Sequence, residues 1–205
     1  MGNRAVITSK ENFENNGIGI YLHWNGGRDS VEGFLKYCEL KGYRSPTSDC
    51  YGWARLTQVI SNFFGGTTSI GVDVVSRLDC DNYDNGVYII DGWEIVDRKY
   101  YEGREQDGYP LNEMLKAIDE RQPESEQLGA YITAPEVPVS ELSIGDKVYV
   151  RRWNDDIKIV TVLGFGEDTI CNGYDVKGIP FADIVSTSAS NINNYIRVPT
   201  VRRVV

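Results

Sequence analysis

The chain has 205 residues, of which 41% are apolar and 25% are charged, and its formal net charge is −9 at pH 7. This composition predicts a soluble globular protein with one or two domains, each able to bury a core. No apolar run has the length of a secretory signal or a membrane span, so we expect neither a secreted nor an integral membrane protein. We therefore expect a cytoplasmic protein whose thiols stay reduced.

The negative charge is concentrated in the first part of the chain. Residues 1–130 contain 13 Lys and Arg against 21 Asp and Glu, whereas residues 131–205 contain 8 against 9. An acidic surface repels nucleic acid and attracts a basic protein partner, although a solvated, solubilising face is the alternative interpretation. The candidate partner-binding residues, called here the acidic set, are Asp79, Asp81, Asp84, Asp91, Glu94, Asp97, Glu102, Glu105 and Asp107.

The first predicted elements are two short β-rich runs at 4–9 and 17–24. Two helices follow. The second begins near Ser48 or Asp49 and ends at Gly65 and Gly66. Each helix has one apolar face with helical spacing, formed in the first by Val31, Phe34, Leu35 and Cys38 and in the second by Trp53, Leu56, Val59, Ile60 and Phe63.

Strand-like runs return at 69–75, 86–91 and 93–101, and the Asp91–Gly92 pair is typical of a hairpin turn. A third helix opens at Pro110, with apolar residues at Leu111, Met114, Leu115 and Ile118. This order predicts an α+β domain at 1–125, in which N-terminal helices cover one face of a mainly antiparallel sheet.

The pattern changes after the third helix. Prolines and polar residues without periodicity predict a linker at 126–139. Short β-branched runs separated by turn residues then predict a small all-β domain at 140–205. The opening of this domain resembles the first strand of SH3-like barrels, through Leu142, Gly145, Asp146, Val148, Tyr149 and Val150. The resemblance implies a small SH3-like β-barrel.

Four side chains of the first domain make one possible tetrahedral ligand set: His23, Cys38, Cys50 and Cys80. Thiolate and imidazole are the donors that zinc prefers in closed structural sites. If these side chains converge, they hold a structural zinc that ties the helix pair to the sheet. The alternative is that they are ordinary core and surface residues, because free cysteine is often buried. The spacing lacks the short Cys-x-x-Cys pattern of common zinc sites.

A second interpretation makes Cys50 a nucleophile at the start of a helix, where the helix dipole favours the thiolate. Asp49, Cys50 and Gly52 resemble the nucleophile motif of NlpC/P60 cysteine peptidases. That resemblance implies a cysteine hydrolase with a histidine base. In this family the histidine follows the cysteine, whereas His23 precedes Cys50 here. The alternative is a capping Asp followed by a packed Cys.

Residues 21–38, 49–73 and 78–90 resemble small phage and prophage proteins of Gram-positive bacteria. Some of these resemble type II anti-CRISPR proteins, which bind Cas9 without enzymatic activity, and at least one such inhibitor type carries zinc. The resemblance implies a non-enzymatic, phage-encoded inhibitor in the cytoplasm of a bacterial host. It would block DNA targeting by Cas9 without contacting nucleic acid or membrane directly. A generic phage protein-interaction module is the remaining alternative.

Overall fold

The computed structural model describes residues 2–66, 69–104, 110–151, 157–166, 181–186, 193–196 and 200–205. The chain divides into two compact units, Met1–Gly129 and Ala130–Val205. The described residues form four helices and two mostly antiparallel sheets, which confirms the α+β class. In the described part of the chain, no helix is long and apolar enough to cross a membrane. The domain limits expected from the sequence stay a prediction.

The first unit contains a five-stranded sheet in the order β3-β2-β1-β4-β5. Its strands are β1 (Ala5–Ser9), β2 (Ile18–Leu22), β3 (Ile70–Val74), β4 (Val87–Asp91) and β5 (Glu94–Lys99). The two central strands, β1 and β4, pair in parallel, and the other neighbours pair antiparallel. Because β1 and β4 run the same way, their carboxyl ends meet at one edge of the sheet.

The four helices are α1 (Lys10–Glu14), α2 (Arg28–Leu40), α3 (Cys50–Phe63) and α4 (Leu111–Glu120). The sequence predicts the last three from their apolar spacing, and their predicted faces are largely buried. It misses α1, whose five residues are too few for a periodic pattern. Gly33 lets α2 approach α4 closely, because a Cβ there would lie 2.6 Å from Cγ of Met114. The Tyr37 hydroxyl of α2 donates to Asp119 of α4 at 2.6 Å.

Both faces of the central strands are buried. On one face Val6, Val87 and Ile89 form a cluster against Phe13 of α1. The alternate residues on the opposite face are also buried: Ala5, Ile7, Ile20, Leu22, Tyr88 and Ile90. On that side the Tyr88 hydroxyl donates to the carbonyl of Gly26, just before α2. The prediction that helices cover one face is therefore incomplete, since α1 covers the other.

The second unit contains a six-stranded sheet in the order β10-β9-β8-β7-β11-β6. Its strands are β6 (Glu136–Pro138), β7 (Lys147–Arg151), β8 (Ile157–Gly166), β9 (Phe181–Ser186), β10 (Asn193–Ile196) and β11 (Thr200–Arg203). All the pairings are antiparallel, and Val148, Val160, Val162 and Val201 form the centre of the core. Among these described strands, the edge strands β6 and β10 do not pair to close a barrel.

The stretch expected to be a linker contains regular structure. Residues Gly129–Thr133 form a 3-10 helix, and β6 pairs with β11. The Arg202 guanidinium donates to the carbonyls of Tyr131, Ile132 and Ala134 at 3.2, 3.2 and 2.9 Å. Residues 130–138 are therefore held in the second unit by strand pairing and by the half-buried Arg202.

Candidate functional site

The four candidate zinc ligands lie in different surroundings. The exposed His23 follows β2, where its Nδ1 lies 3.2 Å from the Tyr21 hydroxyl. Cys38 is fully buried in α2, and burial raises the pKa of its thiol. Cys50 is exposed at the first position of α3. The half-buried thiol of Cys80 donates to the Val75 carbonyl at 3.6 Å.

These side chains do not come together as a ligand set. Among the residues that the structure describes, no three His, Cys, Asp or Glu side chains are placed so that they hold a metal ion. Cys38 is fully buried inside α2, whereas His23 and Cys50 are exposed to solvent. The described donors therefore do not fit a tetrahedral site. Structural zinc stays a prediction from the sequence, and no part of the proposed function depends on it.

The Cys50–His23 dyad is not assembled either. Cys50 lines a cleft together with Ile18, the first residue of β2. His23 follows the other end of β2, where its N–H donates to the Ser69 carbonyl at 2.9 Å. The five residues of an extended strand span about 16 Å, which is far beyond hydrogen-bond reach. The structure therefore gives Cys50 no histidine base at this position.

The residues that resemble the peptidase motif have structural roles. The Asp49 carboxylate caps α3 by accepting from the N–H groups of Tyr51 and Gly52, at 2.9 and 3.2 Å. Partial burial acts to raise the pKa of Asp49, but hydrogen bonds from Arg44 and from these N–H groups outweigh it and lower the pKa. At Gly52 a Cβ would lie 2.3 Å from the Pro46 nitrogen. Capping and close packing explain this arrangement without catalysis.

The acidic set lies in the loop before β4 and along the β4–β5 hairpin. Of its seven described members, six are exposed and only Asp84 is half-buried. Glu105 and Asp107 lie outside the described residues. The set is divided between the two ends of the hairpin, because Asp91 and Glu94 flank the turn that joins its strands. At the opposite end lie Asp79, Asp81, Asp84 and Glu102.

Arg4 contacts the acidic set, which the sequence did not predict. Its guanidinium Nε lies 2.7 Å from Asp84, and Nη1 lies 3.5 Å from Asp79. The hydrogen bond from Arg4 lowers the pKa of Asp84. Lys99, the last residue of β5, pairs with Asp97 of the same strand at 2.5 Å. Four members have no ion-pair partner among the described residues and supply the unneutralised charge: Asp81, Asp91, Glu94 and Glu102.

The loop at 79–86 is held by the fully buried Asn82. Its Oδ1 accepts from the N–H groups of Asp84 and Gly86, at 3.1 and 3.0 Å. Its Nδ2 donates to the carbonyls of Asp79 and Gly86, at 3.0 and 3.2 Å. The next residue, Tyr83, is 89% exposed and has a φ of +56°. A fixed backbone therefore presents an aromatic side chain between carboxylates.

A cleft of about 740 Å³ lies at the carboxyl ends of β1 and β4. Ser9 and Asp91, the last residues of these strands, line it together with α1 and the amino-terminal end of α3. Trp53 and Ile90 contribute its buried apolar part. The sequence does not predict this cleft, because nothing local indicates that β1 pairs with β4 in parallel.

Comparison of the chain with protein-family models, with curated proteins and with solved structures finds no match. The functional evidence is therefore the chemistry of its own residues. Two features of the first unit stand out: the rigid acidic loop that carries Tyr83, and the cleft at the other end of β4.

Proposed function

We propose that the chain is a non-enzymatic, phage-encoded anti-CRISPR inhibitor that binds Cas9 through the acidic set and blocks DNA targeting in the bacterial cytoplasm. One observation carries the binding role: six of the seven described members of the acidic set are exposed around one hairpin of the first unit. The resemblance at 21–38, 49–73 and 78–90 supplies the identity of the partner. Cas9 handles DNA and RNA and therefore presents basic surfaces that an acidic protein can occupy.

The loop at 79–86 has the properties of an interface anchor. Tyrosine is enriched among the residues that dominate binding energies, because it offers a large apolar ring and a hydroxyl with little rotamer freedom to lose. Tyr83 is 89% exposed and lies on a backbone held by the buried Asn82. A partner therefore needs to order little of the loop on binding, which lowers the entropic cost of the complex.

Intramolecular pairing decides which carboxylates attract a partner most strongly. Arg4 already neutralises part of the negative charge of Asp79 and Asp84. Asp81 and Glu102 are exposed and have no ion-pair partner among the described residues. Their fields act at a distance and accelerate association, most strongly at low salt.

The test is binding of the purified chain to Cas9, measured over a series of salt concentrations. Reversing two unpaired charges, in D81K/E102K, is expected to weaken binding at least about tenfold at low salt. The matched control, E120K/E124K, has the same net charge change at exposed positions of α4 and of the turn after it. Its affinity is expected to stay within about twofold of the unchanged protein. Absence of Cas9 binding at low salt overturns the proposal and leaves a generic phage interaction module.

We also propose that the second unit contains a small SH3-like β domain at 140–205. Its support is the antiparallel run of β8, β7 and β11 around the buried Val148 and Val201. This unit has near-neutral charge. The electrostatic attraction for Cas9 is therefore assigned to the first unit.

A further inference from the structure

The cleft at the carboxyl ends of β1 and β4 combines an apolar interior with an acidic rim. The almost fully buried Trp53 and Ile90 line its interior, and the exposed Val96 adds apolar surface from β5. Pro46 belongs to the segment before α3 and also lines the cleft. A volume of about 740 Å³ is sufficient for several amino-acid side chains. The apolar surface suits an aliphatic or aromatic group rather than a small ion.

The rim has an excess of negative charge. Its charged lining residues are one cation, Lys10, and four carboxylates, Glu11, Glu14, Asp49 and Asp91. Asp49 is neutralised by Arg44 at 3.1 Å, and Glu14 lies 4.0 Å from Lys10. Asp91 accepts a hydrogen bond from the Thr47 hydroxyl at 3.3 Å. Glu11 and Asp91 have no ion-pair partner among the described residues.

We infer that this cleft binds an arginine-bearing segment of the partner protein, with the aliphatic stem against the apolar surface and the guanidinium at Glu11 and Asp91. Charge complementarity selects a cationic group, and the apolar lining selects one with a long hydrocarbon stem. Arginine satisfies both requirements, and its planar guanidinium donates to carboxylates in a fixed geometry. The inference rests on the proposed function for the basic nature of the partner. The partner would then contact the cleft as well as the acidic loop at 79–86, which lies at the other end of β4.

The probe is the peptide acetyl-Gly-Arg-Gly-amide, titrated into the full chain and followed by amide and indole NMR shifts. Binding in the range of about millimolar dissociation constants is expected for so small a ligand. The shifts should concentrate at Asn12, Thr47, Cys50 and Trp53. The same peptide with citrulline in place of arginine keeps the shape and removes the charge, and it should bind at least about fivefold more weakly.

Two variants test the cleft itself. Glu11→Gln removes one rim charge and should weaken peptide binding about threefold to tenfold. Cys50→Phe narrows the cleft at an exposed position without changing charge, and it should weaken binding about tenfold. The control Glu124→Gln removes an exposed charge elsewhere in the unit and should leave binding unchanged.

Several outcomes overturn the inference: shifts confined to residues 79–84, equal binding of arginine and citrulline peptides, or unchanged binding by both cleft variants. The Cas9 assay separates this inference from the proposed function. Peptide binding in the cleft without Cas9 binding means that the proposed function fails and the cleft inference stands. Cas9 binding that is unaffected by Glu11→Gln and Cys50→Phe means that the cleft inference fails and the proposed function stands.

Discussion

Asn82 and Tyr83 are neighbours with opposite roles. The Asn82 amide is buried and makes four hydrogen bonds within its loop, whereas the Tyr83 side chain is almost fully in solvent. Truncating a buried amide leaves its partners unsatisfied, whereas truncating an exposed ring leaves the folded state intact. These two positions therefore separate the stability of the loop from its binding role.

Asn82→Ala is expected to lower the free energy of unfolding by about 1–3 kcal/mol and to increase amide exchange at 79–86. Tyr83→Ala is expected to change stability by less than about 0.5 kcal/mol and to weaken Cas9 binding at least about tenfold. Denaturant unfolding, hydrogen exchange and the binding assay measure these effects. Unchanged Cas9 affinity in Tyr83→Ala would contradict the anchor role of the tyrosine.

The cysteines of the candidate zinc set differ in accessibility. Cys50 is exposed, whereas Cys38 is fully buried with a raised pKa. We expect iodoacetamide to alkylate Cys50 rapidly in the folded protein and Cys38 only after unfolding. Peptide mapping by mass spectrometry, with and without a zinc chelator, gives both rates. Protection of Cys50 that the chelator removes would support the zinc hypothesis for this residue.

The Arg4–Asp84 pair gives a predicted dependence of stability on pH. Arg4 holds the pKa of Asp84 below its usual value in the folded state. Its contribution to stability is therefore present above the unfolded pKa of about 4 and is lost as pH falls towards the lower folded pKa. Asp84→Asn is expected to cost less than about 1 kcal/mol at pH 7, because the pair is partly exposed. Denaturant unfolding from pH 6 to pH 2 should show the two proteins converging at the acid end; a constant difference would contradict this.

Among the elements, α3 and the loop before it pack closely at the cleft. A Cβ at Gly52 would lie 2.3 and 2.5 Å from backbone atoms of Pro46 and Ser45, so the first turn of α3 or the preceding loop must move. Gly52→Ala is expected to destabilise the fold by about 2 kcal/mol, because the overpacking outweighs the better helix propensity of alanine. Gly71→Ala is the matched control, since its nearest neighbour would be 3.8 Å away. Thermal unfolding compares them, and equal melting temperatures would show that the loop before α3 yields easily.

Most of the long elements are predictable from the sequence because their signals are local. The apolar spacing of Val31, Phe34, Leu35 and Cys38 predicts α2, and all four residues are buried. The parallel pairing of β1 with β4 has no local signal, since about 80 residues separate the strands. The cleft depends on that pairing. Its residues therefore could not be grouped from the sequence.

For the whole molecule, the composition predicts the net charge but not which side chains meet in space. The sequence places His23, Cys38, Cys50 and Cys80 in one domain, yet the described structure does not gather them into a metal-binding group. The exposure of the acidic set is easier to predict, because charged side chains are usually exposed wherever the chain folds, whereas its role in binding stays a prediction. Its partial neutralisation by Arg4 depends on a contact across 80 residues, which the sequence alone does not indicate.

The affinity of the full chain for Cas9 tests directly whether the exposed carboxylates of the first unit bind this partner. The unchanged chain should bind at low salt, and its affinity should fall as salt rises, because exposed charges drive the association. D81K/E102K should lose at least about tenfold in affinity, and the E120K/E124K control should not. Equal binding by both double variants would show that Asp81 and Glu102 do not bind Cas9.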